Sequence, residues 1–123
     1  MSTPTELADS YIAMWNETDA GARRRLIDRI WSENARYVDP VAAGDGRDGI
    51  DAMVATIQER FPDHRFHRTG PVDHHNGRLR FTWALAPEGG EPLVAGVDFG
   101  TLSADGRRLE TITGFFDTVP AAA

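Results

Sequence analysis

The chain has 123 residues, 41% of them apolar, with three tryptophans and six phenylalanines, so it can bury a core and is not disordered. A net charge of −6 without a basic stripe argues against a nucleic-acid partner, and the lack of cysteine excludes disulfides, thiol nucleophiles and thiolate metal sites. No apolar run reaches the ~18 residues of a membrane span, and MSTPTELADS has neither the basic nor the apolar region of a signal peptide, so a cytoplasmic location without membrane association is expected.

Thr3-Pro4-Thr5-Glu6 reads as a helix start: Thr3 caps, Pro4 suits the first turn and Glu6 completes a capping box. Leu7, Tyr11, Met14 and Trp15 then recur on one helical face. After NETDAG, Thr18 or Asp19 caps a second helix expected to run to about Ser32, with Leu26, Ile27, Ile30 and Trp31 as its buried stripe. Arg23, Arg24 and Arg25 fan around that helix and read as a solvated face rather than an anion site. A short strand, 35–38, leads into the glycine-rich stretch 44–49, which lacks phosphate-loop spacing and reads as a connector. A third helix carries Ile50, Met53, Val54, Ile57 and Phe61, and Pro62 stops it.

From Arg65 the period changes to two. Residues 66–75 give one or two short strands, and Asn76-Gly77 is a hairpin turn. Leu79, Phe81, Trp83 and Leu85 form the apolar face of the next strand. Residues 93–103 and 109–117 are long strands joined at Asp105-Gly106, and the tail TVPAAA is expected to fray. Helices first and hairpin-connected strands after predict one α+β domain over residues 1–123. Its curved antiparallel sheet, packed by the N-terminal helices, would form a cone around an apolar pocket.

Two carboxylates stand out. Asp98 lies inside the apolar strand LVAGVDFGTL, where a charge is costly unless paired, hydrogen-bonded or protonated. Parity puts it on one face with Val94, Gly96, Gly100 and Leu102, and the glycines leave room for a neighbouring backbone or a ligand. Burial there would raise its pKa; on an edge strand it would face solvent or take a neighbour's hydrogen bond. Asp39 ends the strand ARYV and precedes Pro40, so it either turns the chain or is aimed into the pocket. Tyr11 reads on its own as a packing tyrosine.

The remaining chemistry is sparse. His64 and His67 straddle a helix end, and His74 and His75 point to opposite faces of a strand, so no metal site is expected. One histidine in the pocket as a proton shuttle is favoured over a metal. No Gly-x-Ser-x-Gly elbow is present for serine hydrolysis. Trp15, Phe61, Phe66, Trp83 and Phe116 are either core or the substrate-binding wall of the pocket.

The order helix, helix, ARYVDP, helix, then strands carrying VAGVDF and ITGFFD resembles the nuclear transport factor 2-like superfamily over nearly the whole chain, from Leu7 to Asp117. Within it the chain is similar to small bacterial proteins grouped with polyketide cyclases of the SnoaL type. YVDP resembles the segment carrying the base of ketosteroid isomerase, and VAGVDF the segment carrying its protonated oxyanion-hole aspartic acid. Tyr11, four residues before Trp15, falls where the oxyanion-hole tyrosine of that enzyme lies. The resemblance implies Asp39 as base, with neutral Asp98 and Tyr11 donating to an enolate oxygen, a division of roles known from that isomerase. In that reading Pro40 holds the strand end, through a peptide bond whose cis or trans state the sequence does not give.

Three functions compete. The first is a cofactor-free acid–base enzyme (isomerase, cyclase or dehydratase) acting on a small apolar carbonyl compound. The second is a small-ligand-binding or scaffold protein without turnover, which predicts affinity that survives Asp39→Asn. The third is epoxide hydrolysis by an Asp-Arg-Asp group, but Gly96 and Gly114 stand where its arginine and second acid belong. The family resembled implies a homodimer formed through the outer face of the sheet.

Overall fold

The computed structural model describes residues 3–119, so most of the tail expected to fray lies outside the described residues. Helix α1 (Pro4–Asn16) starts as its sequence dictates. Glu6 N donates to the Thr3 hydroxyl at 3.1 Å, and Thr3 N donates back to the Glu6 carboxylate at 3.2 Å. Its buried face is Leu7, Ala8, Tyr11, Met14 and Trp15.

Helix α2 (Ala20–Ile30) is capped by Asp19, whose side chain accepts from Ala22 N at 2.8 Å. It ends before Trp31, which opens strand β1 (Trp31–Val38) and is fully buried, so the expected helical run to Ser32 is two residues too long. No proline or glycine marks this change. It is held by tertiary contacts: the Arg47 guanidinium donates to Trp31 O at 2.7 and 3.1 Å, and the Trp31 indole N–H reaches the Met14 sulfur at 3.2 Å.

The arginine triplet divides. Arg24 stays partly exposed and binds Asp28 and Asp48, but Arg23 is buried, contrary to the solvated-face reading. It donates to Asp51 at 2.7 Å, to the Gln58 side chain at 3.1 Å and to Glu17 O at 3.2 Å. Gln58 Nε2 in turn donates to Trp15 O and Glu17 O. A charge on α2 can be buried here because the C-terminal cap of α1 and two side chains of α3 supply its acceptors.

The stretch read as a connector is instead structured. Strand β2 (Ala43–Asp45) pairs antiparallel with β1, and α3 (Gly46–Arg60) begins at once, with Gly46 at φ +71° in the tight turn between them. Then come β3 (His64–Arg68), β4 (Asp73–His75), β5 (Arg78–Pro87), β6 (Val94–Leu102) and β7 (Leu109–Thr118). Asn76 and Gly77, at φ +47° and +75°, make the β4–β5 hairpin turn expected of that pair.

The sheet runs β2-β1-β7-β6-β5-β3, with β4 also on β5, and curls into a half-barrel against the helices. It is mixed rather than wholly antiparallel, because β1 and β7 are parallel. Hairpins fix direction only between consecutive strands, and β1 and β7 are separated by α3 and the other strands. The concave face carries Ala35 and Tyr37 on β1, Leu79, Phe81, Trp83 and Leu85 on β5, Val94 and Asp98 on β6, and Ile112 on β7. The side chain of Asn16 pairs with both backbone groups of Phe66 at 2.8 Å, tying the end of α1 to β3 and setting Trp15 beside Phe66.

Candidate functional site

The half-barrel encloses a cavity of about 280 Å³. Trp15, Phe61, Phe66, Trp83 and Phe116 all line it, one of the two placements their sequence left open. Four of them form a continuous wall, with ring centroids 5.1 Å apart for Trp15 and Phe66, 5.7 Å for Phe66 and Trp83, and 5.8 Å for Trp83 and Phe116. Ile57, Leu85 and Val94 fill the gaps, and Val41 and Val119 stand exposed at the rim. The polar groups are gathered together: Tyr11, Tyr37, Asp39 and Asp98.

Asp98 is 3% exposed and faces inward, as the alternation of β6 requires. The Tyr11 hydroxyl donates to its Oδ2 at 2.7 Å and the Trp83 indole N–H to its Oδ1 at 3.0 Å. Burial pushes this carboxyl up from 3.8 to about 7. The two donors pull it back, and the charge of Asp39 adds to the rise. Burial, then Asp98, holds the Tyr11 hydroxyl protonated well above the ordinary tyrosine range. Tyr11 is thus both a packing residue and a donor to Asp98.

Asp39 does both things its sequence position allowed. Its Oδ1 accepts from Val41 N and Ala42 N, each at 2.8 Å, while its own N–H donates to Ala42 O at 2.9 Å, closing the turn after β1. The same carboxyl lines the cavity, where its Oδ2 accepts from the Tyr37 hydroxyl at 2.5 Å. The Asp39–Pro40 bond is trans.

Tyr37 was missed by the sequence reading. It packs edge-on to Trp15, centroids 5.5 Å apart, and its hydroxyl is raised well above the ordinary range by burial, then by Asp98 and Asp39. The signal was available: Tyr37 is two residues before Asp39 on a strand, so both project to the same face.

Among the described residues no histidine lines this cavity, which corrects the expectation of a histidine shuttle. His67, His74 and His75 are exposed, and His64 meets Phe61 edge-on, with Nδ1 2.9 Å from Pro62 O. Among the described residues no three His, Cys, Asp or Glu side chains are grouped to hold a metal ion. Nor does any arginine reach the cavity. The arrangement is an apolar aromatic chamber with two carboxyls and two hydroxyls at one pole and no basic group.

Comparison with known proteins agrees with this architecture. The model of the SnoaL-like domain family matches residues 8–111. A crystal structure of a candidate isomerase of the SnoaL-like family from Agrobacterium tumefaciens strain C58 is 39% identical, with a TM-score of 0.86, covering 91% of this chain and 95% of that one. A nuclear transport factor 2-like protein of unknown function from Exiguobacterium sp. 255-15 shares the fold at 21% identity and a TM-score of 0.71, covering 92% and 99% of the two chains. So does a protein of ketosteroid isomerase-like fold from Catenulispora acidiphila, crystallised with trimethylamine, at 16% identity and a TM-score of 0.72, covering 92% and 85%. No curated protein matches in sequence. With its helices, curled mixed sheet and inward aspartate in place, the chain belongs to the SnoaL-like domain family, on the nuclear transport factor 2-like fold.

Proposed function

We propose that the cavity is a cofactor-free acid–base site that moves a proton next to the carbonyl of a small apolar compound, as an isomerase, cyclase or dehydratase does. The observation that carries this reading is a buried carboxyl, Asp98, raised to about 7 within the same chamber as a second carboxyl held by outside donors. Asp39 acts as base. Three of the roughly four lone-pair sites of its carboxylate are occupied, which leaves one on Oδ2 for the incoming proton. The C–H electron pair becomes the new C=C bond, and the carbonyl oxygen takes up the charge. Neutral Asp98 donates a hydrogen bond to that oxygen, and return of the proton from Asp39 to another carbon completes an isomerisation. Because the Tyr11 hydroxyl rests on Asp98, Tyr11 acts through that carboxyl, fixing its orientation.

The test is hydrogen–deuterium exchange next to the carbonyl in a panel of small cyclic ketones, followed by proton NMR. Enzyme-dependent exchange that disappears in Asp39→Asn supports the reading. Binding without exchange in the wild type sinks it.

A second reading, a binding protein without turnover, is favoured by a different observation. Seven aromatic rings and two carboxyls line the cavity with no basic side chain, a composition suited to a small organic cation. The trimethylamine held by the Catenulispora protein fits that chemistry. Calorimetry with trimethylammonium at pH 8 decides it: affinity that survives Asp39→Asn favours the binder.

In either reading two copies of the chain pair through the outer face of the sheet, where Val38, Phe99 and Phe115 are exposed on adjacent strands.

A further inference from the structure

Three glycines, Gly96, Gly100 and Gly114, lie buried on β6 and β7 with the parity of the concave face. Two have ordinary structural causes. A Cβ at Gly96 would stand 2.2 Å from Phe115 O, and one at Gly100 would stand 2.7 Å from Thr111 O and 2.6 Å from the Ile112 side chain. Those glycines let neighbouring backbone and core approach. Gly114 has neither that cause nor a left-handed φ. A Cβ there would meet the site itself: Asp98 Oδ1 at 2.9 Å, Asp39 Cβ at 3.1 Å and the Tyr37 hydroxyl at 3.4 Å.

The register explains why. Gly114 pairs with Asp98 on β6, while its neighbour Thr113 pairs with Val38, the residue before Asp39. Strand β7 therefore runs between the two acids, and position 114 is the point on it that both overhang. An ordinary side chain would stand between them as a wedge.

We propose that Gly114 is a positioning residue of the site: its missing side chain lets the Asp98 carboxyl lean across β7 toward Asp39, so that the two acids act as one interacting pair. The groups facing Asp98 are Tyr11 from α1, Trp83 from β5, and Tyr37 and Asp39 from β1 and its end. Asp39 is the only carboxyl among these, and its charge is the one that acts on Asp98. Position 114 thus governs how strongly one carboxyl senses the other. The proposal rests on the two-carboxyl site of the acid–base reading but not on its substrate class.

Carbon-13 titration of the aspartate carboxyls, in wild type and Gly114→Ala, each with and without Asp39→Asn, tests it without any substrate. In the wild type, Asp39→Asn lowers the Asp98 midpoint, because a negative neighbour is removed. In the Gly114→Ala background the same change lowers it by less than half as much. Equal shifts in the two backgrounds overturn the proposal, and so does no shift in the wild type. Should Gly114→Ala be too unstable to titrate, thermal unfolding of Gly114→Ala in an Asp98→Ala background replaces it. The proposal expects Tm to recover, because the obstructing oxygen is gone; a Tm left as low as in the single variant overturns it. Absence of ketone exchange, by contrast, would end the carbonyl reading and leave this result standing.

Discussion

The Tyr37 hydroxyl and the Asp39 carboxyl are joined by a 2.5 Å hydrogen bond between residues two apart on one strand. Asp39 Oδ1 is committed to the backbone of the turn, so Tyr37 is what orients the other oxygen toward the cavity. Tyr37→Phe keeps the ring that packs on Trp15 and removes only the donor. A hydrogen bond to a charged group contributes about 1.5–3 kcal/mol, so proton-exchange rates should fall roughly 10- to 100-fold. Unfolding midpoints should fall too, because the same bond is lost to the folded state, and measuring both in one preparation checks the prediction.

Asp98 makes stability depend on pH in a direction opposite to that of salt-bridged carboxylates. Its folded pKa, about 7, lies above the ordinary 3.8, so between these values the folded state holds a proton that the unfolded state has lost. Its contribution is complete below about 3.8 and declines as pH rises, levelling off above about 7, a total on the order of 4 kcal/mol. Asp98→Asn cannot titrate. The stability of the variant relative to wild type should therefore rise between pH 4 and 7 and then stay level. Urea unfolding across that range is the measurement; a constant difference would mean that Asp98 titrates normally.

Under the acid–base reading the same ionisation limits activity. Above pH 7 the Asp98 proton is lost, and with it the donor to the carbonyl oxygen. Exchange rates should fall about tenfold per pH unit on the alkaline side. The binding reading gives the opposite trend for an organic cation, whose affinity should increase as Asp98 ionises.

Arg23 joins three helices away from the cavity. Arg23→Ala strands Asp51 and Gln58 without their partner and should cost about 3 kcal/mol, read as a lower urea midpoint. The cavity-lining groups are untouched, so ligand affinity per folded molecule should be unchanged.

Phe115→Arg on the outer face places a charge where pairing of two chains is proposed. Sedimentation should show a monomer in place of a dimer, with the fold retained. A wild type that is already monomeric would remove the pairing proposal.

Alternation put Asp98 on the strand face of Val94 and Gly96, and the central place of β6 in the sheet makes that face the inward one. The Thr3 cap and the Asn76-Gly77 turn were legible for a similar reason, since each depends on residues adjacent in sequence. Trp31 was not, because its switch from helix to strand is enforced by Arg47 and Met14, far away in the chain. Arg23 reads as a surface residue until α3 brings Asp51 and Gln58 to it. Tyr37 was overlooked although its parity with Asp39 was visible, because tyrosine in a strand is ordinary packing. The parallel pairing of β1 with β7 leaves no local trace at all.

That pairing has a consequence for how the chamber comes into being during synthesis. Strand β1, which delivers Asp39, and β6, which carries Asp98, both leave the ribosome before β7, yet β7 is the strand that joins them. Until it inserts, the edges of β1 and β6 are open and the two acids belong to separate parts of the nascent chain. The insertion closes contacts of long sequence separation, a slow class of folding event. Completion of the sheet and the birth of the site are one step, so a chain arrested before Leu109 would hold both aspartates and no site.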